Sequence, residues 1–132
     1  MANCISDYAA NKMLDHMLGT TSWTMPANVY LALFTTNPTS AGTGTEVSGG
    51  SYARKSISFD SAASRTTDNS GKITFAAATA SWGTVTHWGT FDALTSGNLI
   101  NFGQLTTSRT VASGDTVELA IGDLDISVTG DA

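Results

Sequence analysis

Few residues in this chain have the type and spacing that catalysis needs. Its two histidines, His16 and His87, stand far apart, and neither has a partner at metal-ligand spacing such as H-x-H or H-E-x-x-H. His87, set between Thr86 and Trp88, reads as a hydrogen-bonded or half-exposed strand residue. The lone Cys4 can make neither an internal disulfide nor a thiolate cage. Serines and aspartates are plentiful, but no G-x-S-x-G elbow sets a serine on a strand–turn–helix corner. Asp123 and Asp125, two apart, fall on one face of a strand, as at a solvated sheet edge, and do not oppose each other across a sugar. Gly42–Glu46 (GTGTE) lacks the lysine and the following helix of a phosphate loop. The expectation is a protein that is not an enzyme, with no catalytic residue, metal, cofactor or small-molecule substrate.

Contact chemistry is better represented. Trp88 is expected as a core anchor, with Trp23, Trp82, Tyr52 and Tyr30 as rim residues on the plainest reading; a sharper one puts Trp23 and Trp82 at a protein interface. Trp23 and Trp82, with Tyr52 and Arg54, are the residue types in which interface energy concentrates. Glu46 and Val47 lie nearby in the Gly-rich stretch Ser40–Gly50, read as an exposed loop of the length that usually serves function. Trp23, Tyr52, Arg54, Trp82, Glu46 and Val47 are therefore the candidate interface residues. Stacking on sugar rings ranks below this, because no cluster of Asn, Asp and Gln stands beside the tryptophans to fix sugar hydroxyls.

The elements that must position these residues follow from two periods. Ser6 is a natural N-cap, and Ala10, Met13, Leu14, Met17 and Leu18 recur at three- and four-residue spacing before Gly19. This predicts a helix over Ser6–Leu18, packed as a lid on a sheet. From Asn28 the period becomes two. Asn28–Thr36 places Val29, Leu31 and Leu33 on one face and Tyr30, Ala32 and Phe34 on the other, so this strand should be covered on both sides. Further strands are expected at Tyr52–Phe59, Gly71–Ala76, Thr84–Phe91, Asn98–Gln104, Thr107–Val111, Thr116–Ala120 and Leu124–Val128. Turns are expected at Thr67–Gly71, Ser96-Gly97 and Ser113–Asp115. The predicted fold is mainly β: one domain over 1–132, a β-sandwich of jelly-roll type spanning 28–128, with the N-terminal helix at 6–18. No internal repeat at fixed period argues for a fibrous shaft or a solenoid.

Charge narrows the partners. The net charge is −5, and the six cations (Lys12, Arg54, Lys55, Arg65, Lys72 and Arg109) are scattered, with one adjacent pair. Duplex binding needs clustered cations, so nucleic acid is not expected as a partner. No apolar run approaches the ~18 residues of a membrane span. The opening MANCISDYAANKM has no basic stretch before an apolar one, so no signal peptide is expected.

The runs VYLALFTTNP, AGTGTEVSGGSYAR, ATASWGTVTHWGTFDA and GNLINFGQLTTSRTVASGDT, in that order, resemble a family of small virion structural proteins of tailed bacteriophages. Members are often labelled tail fibre proteins, and some resemble capsid decoration (cement) proteins. The resemblance spans about Ser6 to Val128. It implies a virion component assembled in the host bacterial cytoplasm. A compact acidic unit without repeats fits first a decoration protein, a homotrimer binding the major capsid protein and copies of itself. The alternative is a tail-tip or tail-fibre knob that meets the host surface, and a glycan-active or lectin domain is a distant third. On this reading, replacing Trp23 and Trp82 together by Ala should abolish binding to the particle and leave the fold intact.

Overall fold

The computed structural model describes residues 3–128. The helix forms where its caps dictate. The Ser6 hydroxyl accepts the Ala9 amide at 3.1 Å, α1 runs Asp7–Met17, and Gly19 turns left-handed just beyond it. The same hydroxyl donates to the Leu99 carbonyl, and the Ser6 amide donates to the Ile100 carbonyl at 2.9 Å. The start of the helix is thereby pinned to a sheet.

The described strands are β1 (Asn3–Ile5), β2 (Val29–Phe34), β3 (Lys55–Ile57), β4 (Thr66–Asp68), β5 (Ile73–Thr74), β6 (Gly83–Phe91), β7 (Leu99–Val111), β8 (Glu118–Leu119) and β9 (Asp125–Ser127). Five make one antiparallel sheet in the order β1-β7-β6-β2-β3, while β4 with β9 and β5 with β8 form two short ribbons. The chain is thus mainly β, with a single N-terminal helix among the described residues.

Three departures from the sequence expectation have physical causes. β1 is three residues long, too short to carry a period, and exists by pairing with the edge of β7. β4 lies partly inside the stretch expected as a turn; its threonines pair with β9, and the reversal is made earlier, at Ser64 and Arg65, both left-handed. Asn98–Gln104 and Thr107–Val111 are one strand, not two. Between the pairs Val85↔Arg109 and His87↔Gln104, two steps on β6 face five on β7, which leaves three residues of β7 over as a bulge. The expected break falls in that bulge.

Both faces of β2 are buried, as its alternation requires. Leu31 and Leu33 join Ile57, Val85, Trp88 and Val111 and pack against Ile73, Phe75, Leu119 and Leu124 of the ribbons, forming a sandwich. Ala32 and Phe34 face a smaller cluster with Phe91, Leu99 and Phe102. The lid over this second face is mostly not the helix, of which only Ala9 is buried. Instead the loop after β2 covers it. The Ser40 carbonyl accepts the Asp7 amide at 2.9 Å, and Gly42 lies against Leu99.

A buried polar residue joins the ribbons. Asn69 is fully inaccessible; its Nδ2 donates to the Gly71 and Ala120 carbonyls at 2.8 and 2.9 Å, and its Oδ1 accepts the Leu124 amide at 2.9 Å. Replacing it by Leu leaves these groups unmatched in the interior, which should cost about 3 kcal/mol. Urea unfolding measures this as a lower midpoint at unchanged slope; a cost under about 1 kcal/mol contradicts the role given to Asn69.

Candidate functional site

The stretch Thr45–Arg54 folds inward. Arg54 is 8% exposed, and its guanidinium grips the Glu46 carboxylate through two parallel bonds, Nε to Oε1 at 2.9 Å and Nη2 to Oε2 at 2.8 Å. Its Nη1 donates to the carbonyls of Ala93 and Ser96, at 2.9 and 2.7 Å, and Cζ lies 3.7 Å from the centre of the Phe91 ring. Tyr52 completes the clamp. Its hydroxyl donates to Glu46 Oε1 at 2.9 Å and accepts the Leu33 amide at 3.0 Å. Burial, aided by the Glu46 carboxylate beside it, pushes the Tyr52 hydroxyl well above the usual tyrosine range, although the Leu33 amide pulls the other way.

Glycine is required at the centre of this stretch. Gly49 and Gly50 are both left-handed, with φ of 74° and 57°. The turn presents the Gly50 carbonyl to Trp82 Nε1 at 2.9 Å, and a Cβ at Gly50 would meet that nitrogen at 2.9 Å. Trp82 is 4% exposed and stands edge-on to Tyr52 and Phe75, with ring centres 5.4 and 6.2 Å away.

The six candidate interface residues therefore divide. Val47, Arg54 and Trp82 are buried, and Glu46 and Tyr52 are half-buried and bonded to each other. These five form an internal clamp. The loop Ser40–Gly50 is stitched back to β2, through Thr35 N to Thr45 O at 3.0 Å and Val47 N to Leu33 O at 2.9 Å. Pairing a charge inside costs less than leaving it alone there, so the sequence signal for an interface, Tyr and Arg beside Trp, is also the signal for a buried clamp.

Trp23 is placed differently. The chain after α1 doubles back along the helix, so that the Trp23 amide donates to His16 Nδ1 at 3.0 Å and its indole meets Tyr8 edge-on at 6.3 Å. Beside it the C-terminal part of the apolar stripe is open to solvent, while Ala10 and Met13 are half-buried. Leu14, Met17 and Leu18 are 51, 63 and 76% exposed, and Met25 in the following loop is 84% exposed. The stripe was legible in the sequence; the direction it faces was not.

Elsewhere the chemistry is sparse. His87 Nδ1 contacts Thr86 Oγ1 at 2.7 Å, and desolvation lowers its pKa. Among the described residues no three His, Cys, Asp or Glu side chains gather as metal ligands would, and no helix is long and apolar enough to cross a membrane. Residues 4–127 match the family model described as Podophage GP4 fiber I protein gp80. No curated protein matches the chain.

Two outcomes test the clamp. Trp82→Ala should destabilise the fold by about 3–5 kcal/mol in urea unfolding, so the double tryptophan variant will not leave it intact. For Tyr52, the unfolded chain releases the phenolic proton near pH ~10, while the folded chain holds it. Stability is therefore full below that pH and falls as pH rises above it. Tyr52→Phe should cost about 1 kcal/mol near neutrality and flatten the alkaline loss. An alkaline loss equal to that of the parent chain removes Tyr52 as its source.

Proposed function

The chain belongs to the podophage GP4 fiber I (gp80) family and is a structural protein of the phage virion, and we propose that within it the chain is a tail-fibre module that assembles through α1 and catalyses nothing. The observation that carries this reading is the outward apolar stripe of α1. A helix with such a stripe ordinarily turns it to its own core, and soluble monomers seldom leave large apolar groups contiguous at the surface. Here the core is complete without it. Closed rotational symmetry is the common solution for subunits of this kind, so the neighbour that covers the stripe is a second copy, with a homotrimer as the assembled form. Assembly takes place in the host cytoplasm, where the other virion parts are made.

The decoration reading, binding to the major capsid protein, keeps one supporting observation: the unit is compact and has no repeat from which a shaft would be built. The fibre description of the family favours the tail. Counting copies per virion by quantitative mass spectrometry separates the two. A fibre module gives a few tens of copies at most, and hundreds point to the head.

The role of α1 has its own test. Leu14→Glu with Leu18→Glu, both at exposed positions, should change thermal stability little and convert the assembled species to monomer in sedimentation. An unchanged sedimentation profile removes α1 from the contact.

A further inference from the structure

β7 and β8 are consecutive and joined by a tight turn in which Asp115 Oδ2 accepts the Ala112 amide at 2.9 Å and the Asp115 amide donates to the Ala112 carbonyl at 3.0 Å. Strands joined so closely ordinarily pair with each other. These splay apart. β8 pairs with β5, and the same contact runs on through Phe75 N to Val117 O and Ala78 N to Asp115 O, both at 2.9 Å. β7 pairs with β6 on one side, and on the other, among the described residues, β1 pairs with Asn101–Gly103. Among the described residues, no main-chain hydrogen bond joins Leu105–Thr110 to Thr116–Leu119. Between them lies a cleft of about 490 Å³, with Val85, Leu105, Val111 and Val117 inside and threonines along its lip.

We propose that this cleft receives an extended segment of another virion protein, one that carries basic side chains and adds as a strand along the free edge of β7. Backbone pairing to an open edge supplies affinity without requiring a particular sequence. The exposed run Thr106–Thr110 is rich in β-branched residues and free of proline, and the bulge between Gln104 and Arg109 takes part of it out of the ladder with β6, so an added segment must follow that bend. Charge selects the partner. Three carboxylates line the cleft, those of Asp115, Glu118 and Asp123, against one guanidinium, that of Arg109. Asp115 and Asp123 each give only Oδ2 to a turn amide, while Glu118 pairs with Lys72 at 3.2 Å. A strand from a second copy would come from a chain of net charge −5 and meet like charge. A saccharide would find no aromatic ring among the lining residues to stack on and would leave the edge unpaired. The inference rests on membership of the virion and not on the role of α1.

Amide hydrogen exchange of the full chain tests it, with a capped peptide of about seven residues that alternates lysine with valine or threonine. Without peptide, the outward amides of Leu105–Thr110 should exchange freely; with it, they should slow at least about tenfold. The same peptide with glutamate for lysine, or with a central proline, should not bind. Asp115→Asn with Asp123→Asn keeps the turn acceptors and should weaken binding about three- to tenfold, whereas Arg109→Ala should tighten it about threefold. The Leu14→Glu, Leu18→Glu chain should bind as the parent does, which keeps this outcome separate from that of α1. Slow exchange in the free chain, no protection by the lysine peptide, equal binding of the glutamate or proline peptide, or protection by soluble dextran fragments instead each overturns the proposal.

Discussion

The clamp between Arg54 and Glu46 is the contact on which the arrangement of this chain depends. Removing two charges from water costs several kcal/mol per ion, and geometry offsets it. The guanidinium meets the carboxylate through two parallel bonds, spends a third nitrogen on two carbonyls, and lies over an aromatic ring. Glu46, Tyr52 and Arg54 lie in the one connection between β2 and β3, and their bonds tie it to the β6–β7 connection through Ala93 and Ser96 and to the β2 backbone through Tyr52. A single set of bonds thus decides where a stretch of low-charge, Gly-rich chain must lie. With it in place, Val47 and Trp82 fall into the core.

That solution determines what is left for partners. The residues with the strongest recognition chemistry are occupied by the fold, so the outer surface is mostly small and neutral, rich in Thr, Ser and Gly. Two features stand out against it: the outward stripe of α1 and the splayed edge of β7. The first is apolar and suits a permanent neighbour; the second offers backbone groups and carboxylates and suits an inserted strand. The proposed assembly uses both, the stripe for further copies and the edge for another component. Among the described residues no three His, Cys, Asp or Glu side chains gather as metal ligands would.

Much of this was legible beforehand, and the reasons differ by element. The helix was readable because Ser6 and Gly19 are local signals that act within a turn. β2 was readable because a strand buried on both faces must be apolar at every position, and VYLALF is. β1 was not, since three residues acquire strand geometry only from their neighbour. Arg54, Tyr52 and Trp82 lie inside, against the expectation of an interface, for a physical reason: composition reports which groups seek partners, and a partner within the chain serves as well as one outside. Nor does an amphipathic pattern say whether its apolar side meets the same chain or another, and α1 turns on that distinction.

The most direct measurement is an electron cryomicroscopy map of the intact virion at side-chain resolution. Density for this chain is expected within the fibre apparatus, with Leu14, Met17 and Leu18 packed against the α1 of neighbouring copies. A virion in which α1 faces open solvent in every copy, or in which the chain lies singly against a different protein through another face, contradicts it.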